Sequence, residues 1–349
     1  MPLELVAVAP HTPELREYQD RDPGQGEVLV RSKLSAEKHG TTLLGYRDQN
    51  PLAGMGFDAE HWLLLHPDEP PSQTFWGPMS LGNLTAGIVE AVGPGVEAFA
   101  VGDRVYGYLP IRESHTVDAG RVNRAPEGVS DDMLVCTDPA MVALMGVREG
   151  LVRIGESVAV FGLGAIGLMA VRLAKIGGAA QVIAVEPIAL RAKLGTLYGA
   201  DLVIDPSSTK DVGLAIREAT GMHGVDIALE TSGNLKALQQ SVRGTRYGGA
   251  IVTVAWYHEG AAALRLGEEW HFNRQTFISG ARLESVPYRD HPRWDPARIE
   301  RTVLQFFAQG RLTVEGMLNP RVPIAEAAEA YRLIDEHPEQ TVKLAVEYA

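Results

Sequence analysis

"VAVFGLGAIGLMAVRLAKIGGAAQVIAVEP", Val158 to Pro187, is the stretch on which the reading of this chain turns. An apolar, β-branched run enters Gly162, Gly164 and Gly167 in G-x-G-x-x-G spacing, and "AIGLMAVRLAKIG" leaves them with helical periodicity. The first glycine permits a tight turn, the second lets backbone approach a pyrophosphate, and the third lets the helix pack on the strand. Leu163, Ala165 and Ile166 fill the positions between, and the N–H groups opening the helix face the phosphate charge. "QVIAVE" reads as the next strand and ends in Glu186, 19 residues after Gly167. A carboxylate there accepts hydrogen bonds from the adenosine ribose and repels a 2′-phosphate, so the cofactor expected is NAD, with NADP disfavoured. Arg191 reads as an adenine or ribose contact, or as a plain surface residue.

Outward from this stretch, strands and helices alternate. "IALRAKLGTLYGA" is a helix, "DLVIDP" a strand, "DVGLAIREATG" a helix, "GVDIALET" a strand and "NLKALQQSVR" a helix, before "GAIVTVAW" and "TFISGAR". Six strands separated by helices predict a doubly wound parallel sheet, a Rossmann domain over 139–282. In it Thr231 and Ser232 close the fourth strand and Val254 and Ala255 the fifth, at the carboxyl edge where a dinucleotide lies. The residues before it are short strands with glycine turns, as in "AGIVEAVGPGVEAFAVGDRVYGY", which predicts a partly open β-barrel. The chain after about Tyr288 returns to other helices and a last strand, "TVKLAVEY". The α/β domain is therefore expected to be inserted into a first domain made of 1–138 and 283–349.

Composition narrows the partners. The 349 residues carry a formal net charge of −12, which repels nucleic acid and anionic lipid. With 45% hydrophobic residues the chain can bury a sizeable core. Cys136 is the single cysteine, so disulfides within the chain and multi-cysteine zinc lobes are excluded. The start "MPLELVAVAPHTPEL" lacks the pattern of an export signal, and the apolar run from Ser157 to Val171 falls short of the roughly 20 residues that span a bilayer. A reducing cytoplasm is the expected compartment.

These elements, with "GESVAVFGLGAIGLMAVRLAKIGGA", "GVDIALETSGN" and "TVKLAVEY", resemble the medium-chain dehydrogenase/reductase superfamily over nearly the whole chain. The resemblance implies an N-terminal GroES-like catalytic domain, an inserted Rossmann domain, and homodimers or homotetramers. It also implies that Lys343 matches a basic residue that approaches the pyrophosphate. Zinc-dependent members hold their metal with a Cys in a C-G-[ST]-D stretch, a G-H-E stretch and a later Cys or Glu. Here the matching stretches are "HGTT", with His39 at the Cys position and Thr42 at the Asp position, then Gly82-Asn83-Leu84, and Asp138-Pro139. An amide is a weak zinc donor, so no metal is expected, and the chain resembles the zinc-independent branch with a "PGTE"-like stretch.

Without zinc, a cation or proton donor must attend the substrate oxygen. His39 is the first choice for acid and base, because an imidazole titrates near neutrality. Lys38 is the second, as donor or as polarising charge. By resemblance Thr41 matches a proton-relaying Ser/Thr, and Asp138 orients His39 or holds a substrate hydroxyl. Glu37 and Lys38 also read as solvated neighbours of a structural histidine. The segments around His61 and Trp76, and around Trp270, His271 and Asn273, offer polar and aromatic side chains to a substrate, as does Asn83. The function these readings favour is hydride transfer between NAD and a secondary alcohol or polyol, or its ketone, a small-molecule substrate. The alternatives are an NADPH-dependent reductase of C=C bonds or quinones, and a nucleotide-binding protein without catalysis.

Overall fold

The computed structural model describes residues 1–69, 74–75, 77–258, 260–280 and 293–349. They form two compact units. The first comprises Met1–Arg124, Pro320–Pro338 and Lys343–Ala349, the second Ala125–Asn319 and Glu339–Val342.

The first unit opens with β1 (Leu3–Ala9), β2 (Thr12–Glu17) and β3 (Glu27–Ala36), followed by the short helix α1 (His39–Tyr46). Then come β4 (Gly56–Asp58), β5 (Leu63–Leu65), β6 (Met79–Ser80), β7 (Leu84–Val92), β8 (Arg104–Gly107), β9 (Ser114–Asp118) and β10 (Asn123–Arg124). β3 organises them. Its period of two buries Val28 and Val30 against Val89, Val105, Leu109 and Val122, while Arg31 and Lys33 stay half-exposed. It pairs antiparallel with β7 along its length and with β9 over its first half. A strand with partners on both edges is what a partly open barrel requires. The hairpin β4–β5 forms a sheet of its own.

The second unit begins with α2 (Asp131–Leu134) and α3 (Thr137–Glu149). Its sheet then follows as β11 (Ser157–Phe161), α4 (Ala165–Ile176), β12 (Gln181–Val185), α5 (Ala189–Tyr198), β13 (Leu202–Ile204), α6 (Val212–Ala219) and β14 (Val225–Glu230). α7 (Leu235–Gly244), β15 (Thr245–Thr253), β16 (Thr276–Ser279) and α8 (Pro296–Ala308) complete it. The six strands are parallel in the order β13-β12-β11-β14-β15-β16. The order reverses at β11, so a crevice opens beyond the carboxyl ends of β11 and β14. β11 and β12 are apolar and buried after their first residues, Ser157 and Gln181, because helices cover both faces. The chain then re-enters the first unit through β17 (Leu318–Pro323), α9 (Ala327–Glu336) and β18 (Lys343–Glu347), which pairs antiparallel with the end of β3.

The units part at 124/125 and 319/320, whereas the sequence placed the boundaries at 138/139 and 282/283. Packing accounts for the difference. α3 and α8 lie against each other, and α3 also packs on α4, so both join the parallel sheet. Among the described residues no helix is long and apolar enough to cross a membrane.

Candidate active site

The glycine turn between β11 and α4 separates what the fold requires from what a ligand requires. A Cβ at Gly167 would lie 1.9 Å from the Gly162 carbonyl oxygen and 2.8 Å from Thr231 Oγ1, so helix and strand approach too closely for any side chain. A Cβ at Gly164 would meet nothing within 4 Å. The bareness of Gly164 serves no contact inside the protein, which leaves room beside the backbone for an outside group. Gly164 is the N-cap of α4 and no side chain caps that end, so its first N–H groups are available to an anion. The residues fit a dinucleotide pyrophosphate here.

Glu186, just past β12, is 3% exposed. Its carboxylate accepts the N–H of Leu163 at 2.5 Å and that of Ile188 at 3.0 Å. A carboxylate has about four acceptor positions, so two remain for ribose hydroxyls. Arg191 is half-buried, and its Nε donates to the Thr341 carbonyl at 3.0 Å. Burial pulls its guanidinium below the usual range, against the attraction of Glu186. Thr231 Oγ1 donates to the carbonyls of Phe161 (2.9 Å) and Gly162 (2.8 Å), tying the fourth strand to the glycine turn. The N–H groups of Val254 and Ala255 both donate to the Glu230 carbonyl, at 2.8 and 3.1 Å, so their carbonyls are what they can offer a carboxamide.

Sequence reasoning missed Glu230. It ends β14 wholly buried, and its carboxylate accepts the Ser232 N–H (2.9 Å), the Gly233 N–H (3.2 Å) and the hydroxyls of Ser232 and Tyr257. Burial pushes this carboxyl up against those donors. Ser232 is therefore held to Glu230 at the edge of the crevice. The available signal was a carboxylate closing the apolar run "VDIALE".

In the first unit, the turn from β3 into α1 is built on Glu37, which is fully buried; the expectation of a solvated Glu37 is corrected. Its carboxylate accepts the Lys38 N–H at 2.6 Å and the Gly82 N–H at 2.8 Å. Burial pushes it up, countered by those bonds, the Thr42 hydroxyl and the Lys343 charge. Lys343 is 2% exposed, and its Nζ donates to the Glu37 carbonyl at 2.5 Å. The lysine expected near pyrophosphate thus has its ammonium on the His39 turn. The buried Tyr331 phenol is pushed well above its usual range by burial and by Glu37.

His39 is held from the same strand. The Leu344 N–H donates to His39 Nε2 at 3.0 Å, while the Glu37 N–H donates to the Leu344 carbonyl. A backbone N–H is always a donor, so Nε2 must be the acceptor and the ring proton of neutral His39 sits on Nδ1. Lys38 is half-buried at the N-cap of α1, and Thr41 is exposed in its first turn. Asn83 stands in the turn anchored by Glu37. Its N–H donates to the Ala36 carbonyl at 2.9 Å, and its Nδ2 is buried without a hydrogen-bond partner. An unpaired buried donor is costly, and a ligand oxygen would satisfy it.

The remaining candidates belong to both units. His61 lies on the exposed β4–β5 hairpin, its Nδ1 2.8 Å from Asp58 Oδ2. Trp76 lies outside the described residues. His271 is exposed, edge-on to Phe272, and the Asn273 carbonyl accepts the Gly248 N–H at 2.7 Å. Trp270 was expected to line a substrate site. It is partly buried and packs against the core of the second unit, stacked on Phe277 with ring centroids 6.2 Å apart. Asp138 is buried in the first turn of α3, in the second unit.

Residues 24–187 match the alcohol dehydrogenase GroES-like domain, and residues 165–290 the zinc-binding dehydrogenase family. The D-guloside 3-dehydrogenase of Escherichia coli K12 is 40% identical over 351 aligned residues, covering 99% of both chains. The chain belongs to the medium-chain dehydrogenase/reductase superfamily. Among solved members of the fold, the 2R,3R-butanediol dehydrogenase of Bacillus subtilis superposes with a TM-score of 0.77 at 23% identity, over 99% of each chain. An alcohol dehydrogenase of Escherichia coli CFT073, solved with NADH, gives 0.75 at 19% identity, also over 99% of each. At these identities the likeness shows the fold.

The family that residues 165–290 match is a zinc-binding one, and a catalytic zinc would require its own set of donors. Among the described residues no three His, Cys, Asp or Glu side chains cluster to hold a metal ion. His39 has Nε2 engaged by a backbone donor, and Asn83 offers an amide where the superfamily's second metal-binding stretch has histidine. These residues do not fit a catalytic zinc, which takes three charged or imidazole donors and keeps a fourth position open.

Proposed function

We propose that this protein is an NAD-dependent dehydrogenase that oxidises a secondary hydroxyl of a sugar, glycoside or polyol without a catalytic zinc. The observation that carries the cofactor half is the open space at Gly164 beside a Glu186 carboxylate already fixed by the Leu163 and Ile188 N–H groups. The full-length similarity to a D-guloside 3-dehydrogenase supports the substrate class.

NAD supplies the hydride acceptor when bound. Gly164 and the open end of α4 hold the pyrophosphate, and Glu186 holds the adenosine ribose and turns away a 2′-phosphate. His39, with Nε2 engaged, presents Nδ1–H as a neutral hydrogen-bond donor to the substrate oxygen, and Asn83 Nδ2 is a second donor to the sugar. That assignment changes the order read from sequence. A nitrogen already bearing its proton cannot take another, so the hydroxyl proton passes through the exposed Thr41 hydroxyl to water while the carbinol hydride leaves for the nicotinamide, with Lys38 as the polarising charge beside the oxygen. Thr41 and Asp138 stay as relay and orienting candidates.

Calorimetry with NAD and NADP, paired with turnover of a panel of hexosides and polyols, tests the reading. Binding of NAD at least about tenfold tighter than NADP, erased in Glu186→Ala, is expected together with ketone formation. Tighter NADP binding would favour the C=C or quinone reductase, and NAD binding without turnover would favour the non-catalytic protein.

A further inference from the structure

The second unit carries a groove remote from its dinucleotide crevice. The carboxyl ends of α3 and α4 and the middle of α8 enclose about 390 Å³. Leu144, Val147, Leu173, Ile176 and Phe306 are among its lining residues, and Arg148, Arg153 and Arg311 also line it. α4 runs from the glycine turn to this groove over 12 residues, roughly 18 Å at 1.5 Å per residue, so the two places do not overlap.

We propose that this groove binds a small amphipathic anion, an aryl or alkyl carboxylate or sulfonate. Its size falls in the range of small-molecule sites, roughly 300–1,000 Å³, and its walls are mainly apolar with a few charged groups. The charges have one sign. Arg153 and Arg311 are exposed and make no ion pair among the described residues, an unusual provision in a chain of net charge −12. Arg311 is braced on the Phe306 ring, 4.2 Å from its centroid. Arg148 is braced on Trp294, 3.6 Å from the centroid, with Arg298 on the same ring at 4.3 Å. Guanidinium groups held on aromatic rings have lost much of their freedom in advance, and their planar forks match carboxylate or sulfonate oxygens. Arg293, Arg298 and Arg301 outnumber the one acid, Asp295, in the open depression next to this groove, which shares Thr302 with it. An apolar body on the floor with its anion at the rim uses both features. A neutral apolar molecule uses one.

The probe is 8-anilinonaphthalene-1-sulfonate, titrated by fluorescence against the full chain in saturating NAD, with decanoate and decanol as competitors. Expected are one saturable site, displacement by decanoate at about tenfold lower concentration than by decanol, and about tenfold weaker binding in Arg153→Ala/Arg311→Ala. Both arginines are exposed, so the double variant should keep its circular dichroism; Thr302→Trp, which fills the groove without changing charge, should also abolish binding. Affinity unchanged in both variants, or equal displacement by decanol and decanoate, overturns the proposal. Neither readout requires turnover, so the result stands apart from the proposed dehydrogenase activity.

Discussion

The Gly162–Gly167 turn and the Glu37–Thr42 turn each leave a strand and open a helix, yet they are built in opposite ways. In the first, side chains are missing and backbone donors are left facing outward at the end of α4. In the second, a buried carboxylate draws backbone donors inward, taking the N–H groups of Lys38 and Gly82, while β18 supplies Lys343 and the Leu344 N–H. The first turn takes its shape from glycines within six consecutive residues, with Glu186 and Thr231 bonded to it from neighbouring strands. The second is assembled from three distant pieces of chain, and its chemistry depends on all of them.

Substituting the two kinds of residue should separate these designs. Gly167→Ala should do the most damage, because its Cβ would sit 1.9 Å from a carbonyl oxygen. A loss of about 4 kcal/mol or more in urea unfolding is expected, and a variant as stable as the parent would mean that the turn is not closed as described. His39→Ala should lower kcat about a hundredfold while leaving NAD affinity in calorimetry unchanged. His39→Asn, whose Nδ2 can take the place of the ring Nδ1–H, should recover most of that loss. No recovery with Asn would return His39 to the role of proton carrier.

The next effect is on pH. His115, buried in the first unit, is held down to about 3 from 6.5, first by burial and then by Arg112. A histidine with a lowered folded pKa favours the fold above its unfolded pKa, and that advantage fades as pH falls below about 6.5. Between pH 7 and pH 5 the loss should be about 2 kcal/mol, read as the difference in urea unfolding between the parent and His115→Gln. Parallel pH curves for the two proteins would contradict it. The smallest effect is the sharpest on mechanism. Gly164→Ala meets open space, so unfolding should barely move while NAD affinity falls about tenfold. Unaltered NAD affinity would remove the pyrophosphate from this turn.

Glycine spacing and strand periodicity made the parallel sheet, the crevice and Glu186 legible in advance, since each rests on residues close in sequence. Of the two readings of Glu37 the solvated one falls, because its burial depends on Gly82, Tyr331 and Lys343 arriving from elsewhere. Trp270 misled for the complementary reason: an aromatic beside polar residues looks like a lining until its ring is found stacked on Phe277. The domain boundaries differ because α3 packs on both α4 and α8, a preference no local pattern records.

The sequence by itself determined that this chain would build a strand, a glycine turn and an uncapped helix start with a carboxylate closing the next strand, because missing side chains and strand ends are properties of short segments. Only the tertiary structure decided how His39 can act. The tautomer of an imidazole is set by the group facing its nitrogen, and here that group is the N–H of Leu344, 305 residues further along the chain.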